Sequence, residues 1–306
     1  MSWASRRFVL LSLGIDRKLR RALTPYLLIA PACLLLGIFL YGVVTGVLLG
    51  FGIMPFLGIN EFTLDYFAQA FANPALVASI GYSLYLAAAS AIIATIGGVV
   101  LSAAFCSMRA GRMLHLAGIQ IPLMTAHALV AVVVVSLFAG SGLLPRLLYH
   151  LGLLQSTGEF PSALGDPSGW GIIFVYSWKE IPFIAFCTIT LMAHVSGSFG
   201  EAAASLGASP LRTFFSVTLP LCRGAVIKAF LIVFAFAFGS YELPFLLGPT
   251  TPKALPVLAY FEFQNPDLIN RGYAMAIDGI MTGICALLAL AYFIVLQRER
   301  KAARQP

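Results

Sequence analysis

Apolar residues along this chain gather into six long blocks, set apart by stretches rich in Gly, Pro, Asn and charge. The blocks run roughly from Pro25 to Phe51, Ser79 to Cys106, Gly118 to Gly140, Gly169 to Met192, Ala225 to Leu247 and Ala274 to Leu296. Each reaches the ~20 residues a helix needs to cross ~30 Å of hydrocarbon. None shows the short alternating pattern of barrel strands. A helix also satisfies its own backbone groups in lipid. The pattern therefore predicts an all-α integral membrane protein, a bundle of six transmembrane helices, with neither a soluble domain nor an internal repeat.

The segments between the blocks have their own signals. The first loop, about 52–78, holds a short surface helix bracketed by Asn60 and Asn73-Pro74. The second, about 141–168, is rich in Gly, Ser and Pro turns, and the third, about 248–272, reads as a loop with several prolines.

Composition agrees with the pattern. Only 10% of residues are charged, against roughly 25% in soluble domains, and the mean hydropathy is +0.93. A net charge of +7 would suit nucleic acid, but the basic residues stand at the block ends, which argues against that partner. Fifteen fall on one side: Arg6, Arg7, Arg17, Lys18, Arg20, Arg21, Arg109, Arg112, Arg212, Arg223, Lys228 and four after the last block. Arg146, Lys253 and Arg271 fall on the other, with acids such as Glu61, Asp166 and Glu262. Excess Lys and Arg mark the cytoplasmic side, so both termini are expected there.

Residues 1–24 are expected to be a retained cytoplasmic segment lying on the membrane surface. Phe8 to Ile15 makes a short apolar core, but it runs into Asp16-Arg17-Lys18 and no cleavage site follows. The transmembrane domain is expected over 25–297, and a cytoplasmic tail over 298–306. The five cysteines fit neither a zinc site nor a disulfide framework.

One polar segment interrupts the chain, "EAAASLGASPLRTFFSVTLP", Glu201 to Pro220. Ser198 and Glu201 have the spacing of a capping box, which predicts a helix from Phe199. Gly207 is placed to end it in a left-handed turn. Ser209 caps a second helix with Pro210 at its first position, and Pro220 ends that helix. Two short helices at an angle are expected, the first with an alanine face that another surface can approach closely.

This segment resembles the signature of permease subunits of bacterial binding-protein-dependent ABC importers. The signature is Glu-Ala-Ala, three residues, Gly, nine residues, Ile, one residue, Leu-Pro. Here it reads Glu201-Ala202-Ala203, Gly207, Val217 and Leu219-Pro220, with Ile replaced by Val. The resemblance extends over about 79–296 and takes in "WKEIPF" (Trp178 to Phe183) and "SYELPFLLG" (Ser240 to Gly248). Relatives often have a proline just before the motif, where this chain reads "HVSGSFG". The "SLGAS" wording is similar to permeases for polyamines, thiamine, ferric iron, phosphonates or opines.

The resemblance implies the type I importer permease fold and a coupling loop, about 196–220, that seats in a cytoplasmic ATPase. Glu201, Ala202, Ala203, Gly207 and Ser209 would form the docking element. It also implies two ATPase subunits, a second permease subunit (identical or paralogous), a periplasmic substrate-binding protein and residence in the bacterial inner membrane. No Walker A sequence occurs, so the chain is expected to be no enzyme and to bind no cofactor, with ATP and Mg on the partners.

Charge inside a span is costly and invites a functional reading. Tyr176, Lys179 and Glu180 fall on neighbouring parts of one helical face, with Pro182 a turn on. With Tyr241, Glu242 and Asp278 they are the candidate substrate path. The alternative is structural pairing, for example of Lys179 with a carboxylate of another span, and Tyr241 also suits an interfacial aromatic belt. His127 reads as a packed polar group. An ion-coupled secondary transporter working without an ATPase is the rival function; it leaves the Glu201–Pro220 segment unexplained.

Overall fold

The computed structural model describes residues 17–55, 58–107, 112–156, 159–268 and 270–302. It is a helical bundle. Among the described residues, six segments are long and apolar enough to cross a membrane: Thr24–Gly50, Pro74–Ser107, His127–His150, Trp170–Ala203, Pro210–Gly239 and Asn270–Gln297.

Helix α1 spans Arg17–Gly50. It begins eight residues before the expected first block; residues 1–16 lie outside the described residues. A two-residue hairpin follows, β1 (Ile53–Met54) antiparallel to β2 (Ile59–Asn60), with Ile53 opposite Asn60. The expected surface helix is α2, Asp65–Ala72. Thr63 Oγ1 accepts from the Asp65 N–H at 3.1 Å, and Asn73 Oδ1 accepts from Ala75 N–H at 3.0 Å at the start of α3 (Pro74–Ser107).

The third block departs from expectation. It is not one helix over Gly118 to Gly140 but two pieces, α4 (Arg112–Met124) and α5 (His127–Phe138), and a further helix, α6 (Leu143–His150), stands in the expected second loop. Pro122 inside α4 removes a backbone donor. The chain then leaves the helix at Ala126, which is extended (φ −64°, ψ 141°). The fourth block is longer than expected, because α7 runs unbroken over Trp170–Ser205.

Helix α8 (Pro210–Thr213) passes through a π-turn at Phe214–Thr218 into α9 (Leu219–Gly239). Pro220 therefore does not end a helix. It sits just after the π-turn, in the first turn of α9, and the helix runs on through it. The fifth block also breaks: Ser240 is extended (φ −76°, ψ 131°) and α10 covers Glu242–Leu247. The third loop contains a further helix, α11 (Leu255–Phe263), before α12 (Asn270–Ala302). Leu255 N–H donates to the buried Ser83 Oγ at 2.7 Å, tying α11 to α3.

The core is the α3–α7–α9 contact. Where α3 meets α7, Gly98 faces Ile184; a Cβ on Gly98 would stand 2.7 Å from Ile184 Cβ. Small residues let transmembrane helices approach this closely. One turn on, Ser102 Oγ lies 2.9 Å from Thr188 Oγ1 and donates to Ala185 O at 3.2 Å. Tyr176, Phe238, Leu243 and Leu255 are buried in the larger cluster towards the loop end of the bundle. Helix α1 packs on α12, where its Gly50 abuts the backbone of Met275 and Ala276. Most of its remaining large apolar side chains are exposed, as suits a lipid-facing helix.

Candidate functional site

Two places in the bundle carry chemistry. The first is the turn from α7 into α8 at one end. Gly207 has φ +81°, a conformation that favours glycine. Ala208 N–H reaches back to Ala203 O at 3.0 Å, the six-to-one bond of a Schellman cap. Ser209 then accepts from Arg212 N–H at 3.4 Å and caps α8, with Pro210 at its first position. The helix stop, cap and restart expected from the residues are present.

The expected capping box is absent. Ser198 lies inside α7 and its Oγ donates to His194 O at 2.9 Å, so Phe199 starts nothing. The two expected short helices are instead the end of one transmembrane helix and the start of another. A load on the turn thus acts directly on both spans. Glu201 and Ala202 are exposed and Ala203 is half-buried. Leu206 is 89% exposed, and Leu211 and Phe215 are exposed beside it. On its inner side the turn borders an open pocket of about 650 Å³ against α3, lined by Ala103, Ser107, Glu201, Pro210 and Phe214 among others.

The second place lies inside the bundle, where the breaks at Thr125-Ala126 and Ser240-Tyr241 flank the first third of α7. Lys179 and Glu180 on α7 are only 5% and 8% exposed. The Lys179 ammonium donates to the carbonyl of Thr125, at the free end of α4. Glu180 Oε1 stands 3.7 Å from Nε2 of His127, the first residue of α5. Helix C-termini favour cations and N-termini favour anions. Two adjacent residues of opposite charge thus each meet the complementary end of a broken helix.

The rest of the group comes from α7, α9 and α10. Glu242 opens α10, is exposed, and lies close enough to Lys179 and Tyr176 to act on them electrostatically. Tyr176 is fully buried, with Ser240 within hydrogen-bonding reach of its hydroxyl. Phe236 packs against His127 with ring centroids 5.0 Å apart. Tyr241 stacks on Phe245 at 4.9 Å and meets Tyr260 of α11 at 4.9 Å. Tyr176, Lys179, Glu180, Tyr241 and Glu242 are thus gathered in one region. Asp278 is not joined to it by any hydrogen bond or ion pair among the described residues. It is half-buried on α12, with Cys285 as its electrostatic neighbour.

Sequence reading passed over Thr125 and underrated His127. Pro122 followed by a lone histidine in an apolar span was the available signal.

A bundle of membrane-crossing helices, two of them broken around buried charge, defines a multi-pass membrane transport protein. The chain belongs to the family described as binding-protein-dependent transport system inner membrane component, whose model matches residues 94–301. It is similar to the putrescine transport system permease protein PotI of Escherichia coli (strain K12). Identity is 24% over 247 residues, 78% of this chain and 78% of that protein. It is also similar to the probable ABC transporter permease protein YurN of Bacillus subtilis (strain 168), 31% identical over 154 residues, 49% of this chain and 52% of YurN. Among solved structures, a chain of a bacterial alginate ABC transporter, crystallised with an alginate pentasaccharide-bound periplasmic protein, superposes with a TM-score of 0.73. That match has 17% identity and covers 94% of this chain and 98% of the other, which shows a shared fold.

Proposed function

We propose that this chain is the permease subunit of an ATP-driven importer in a bacterial inner membrane, with the α7–α8 turn as its coupling element. The observation that carries the reading is that turn: an exposed, apolar-tipped hook continuous with two spans. In this reading the hook and both termini face the cytoplasm. Glu201, Ala202, Ala203, Gly207 and Ser209 present the hook to one of two ATPase subunits, which bind ATP and Mg²⁺. A second permease subunit completes the path, and a periplasmic protein delivers cargo. Relatives carry names as different as putrescine and maltose/maltodextrin permeases, so family membership alone does not choose the cargo.

The geometry supports a lever. When ATP closure moves the two seats, the hook transmits the motion to α7 and to α9 through the π-turn, a deformation that recurs at functional sites. The group at Tyr176, Lys179, Glu180, Tyr241 and Glu242 lies between the breaks and lines the path; Asp278 is the outlying candidate.

Gly207→Asp tests this. Nothing lies within 4 Å of where a Cβ would stand, and Asp tolerates positive φ better than most residues. The fold should survive while the docked neighbour meets a new charge. The wild-type chain, purified from its own membranes, is expected to bring down a nucleotide-binding polypeptide, and Gly207→Asp to lose it while still extracting as a single monodisperse species. Uptake that follows an ion gradient and needs no ATP would establish the rival secondary transporter instead.

A further inference from the structure

We propose that the open pocket beneath the α7–α8 turn holds one phospholipid, with its acyl chain between α3 and α7 and its amine headgroup at Glu201. The inference goes beyond the importer reading and does not need it. It requires only that α7 crosses the bilayer.

Depth comes first. Trp170 opens both α7 and its membrane-crossing segment. At the usual rise, Met192 lies about 33 Å further along the helix, where ~30 Å of hydrocarbon has just been crossed. Glu201 lies about 13 Å beyond Met192, on the headgroup and water side. Both residues line the pocket. It therefore runs across the boundary between acyl chains and headgroups, the layer in which one phospholipid has both its parts.

Shape follows from side-chain size. Met192, Ser196 and Gly200 succeed one another at four-residue steps and share a face of α7. Val100 and Ala103 of α3 and Phe214 of the π-turn supply further walls. Deeper in the bundle α3 and α7 touch, at Gly98 against Ile184 and Ser102 against Thr188. Past Thr188 the small Ala103, Ser196 and Gly200 do not fill the space between the helices. The volume, about 650 Å³, falls within the ~300–1,000 Å³ of small-molecule sites, and the lining is mostly apolar, as such sites are.

Charge selects the headgroup. Glu201 is the only charged residue among the described lining residues. It is exposed and takes part in no ion pair among the described residues. A carboxylate without a cation, at the headgroup end of an apolar slot, fits an ammonium tethered to an acyl chain. A zwitterionic aminophospholipid carries both. An anionic phospholipid would meet Glu201 as a like charge.

The test holds the full chain, with its co-purified subunits, in nanodiscs of phosphatidylethanolamine and phosphatidylglycerol. One lipid or the other carries a mid-chain diazirine at trace level. Illumination and peptide mapping should place adducts on Val100, Met192 or Phe214. The phosphatidylethanolamine probe should label them about two- to fivefold more than the phosphatidylglycerol probe, the worth of an exposed ion pair. Gly200→Leu fills the pocket: a Cβ there meets only Ser196 Oγ, at 3.6 Å, and Leu favours helix over Gly. It should lose the pocket adducts and keep those on Leu35 and Phe39, exposed on α1. Glu201→Gln should make the two lipids label equally. Wild-type adducts on α1 alone, pocket adducts that persist in Gly200→Leu, equal labelling by the two lipids in wild type, or an undiminished preference in Glu201→Gln overturns the proposal. ATP hydrolysis by the same preparation keeps the two readings apart. A complex that hydrolyses ATP with its pocket unlabelled defeats the lipid site alone; a labelled pocket in a chain that brings down no ATPase defeats the importer reading alone.

Discussion

Replacing Lys179 by Met keeps the length of the side chain and removes its charge. Three things are lost together: the bond to Thr125 O, the charge complementing the end of α4, and the cation beside Glu180 and Glu242. Glu180 is 8% exposed and keeps only His127, 3.7 Å away. Removing one partner of a buried charge pair costs about 3–5 kcal/mol, because the other charge stays buried without compensation. At roughly 2 °C per kcal/mol for a chain of this size, the melting temperature should fall by about 6–10 °C. Removing the second charge should return part of the loss, so Lys179→Met/Glu180→Gln should melt above Lys179→Met. A coupling of about 1–3 kcal/mol between the two sites is expected. Thermal unfolding followed by size-exclusion fluorescence in detergent measures wild type, Lys179→Met, Glu180→Gln and the double variant. A Lys179→Met chain that melts with wild type, or a double variant below the single one, would refute the claim that these charges hold the two half-helices.

Other expectations follow from the packing. Gly98→Ala would place a Cβ 2.7 Å from Ile184 Cβ. It should cost about 1–3 kcal/mol by overpacking, and the same melting assay should show the drop. Ser83→Ala leaves the buried Leu255 N–H without its acceptor, at about 1–3 kcal/mol, so the amides of α11 should exchange with deuterium faster than those of α3. Ser209→Ala removes the cap of α8, worth about 1 kcal/mol. It should speed exchange in the hook and leave the global melting point nearly unchanged.

What the residues revealed by themselves depended on whether the determinant was local. The stop at Gly207, the cap at Ser209, the end of α2 at Asn73-Pro74 and the long apolar run of α7 are set by neighbours within a few positions, and each was legible. The false capping box shows the limit of such rules. Ser198-x-x-Glu201 has the right spacing, but α7 already supplies the backbone acceptors upstream, and Ser198 bonds one of them instead. The break at Thr125-Ala126 sits in an apolar run whose composition favours continuity. What makes it tolerable is Lys179, 54 residues away, taking the freed carbonyl. Helix α11 was hidden among prolines and glycines because its stability comes from Ser83 and from burial of Leu255, Val257 and Ala259. Lys179 and Glu180 stood out as costly charges, but their partners were visible only after folding.

The most direct test of the account places a photo-crosslinking amino acid at Leu206, the 89% exposed tip of the hook, in the native membrane. Illumination should yield one dominant adduct, to a polypeptide that binds ATP. Adducts only within the chain itself, or none with any nucleotide-binding protein, would contradict the claim that a motor grips this turn.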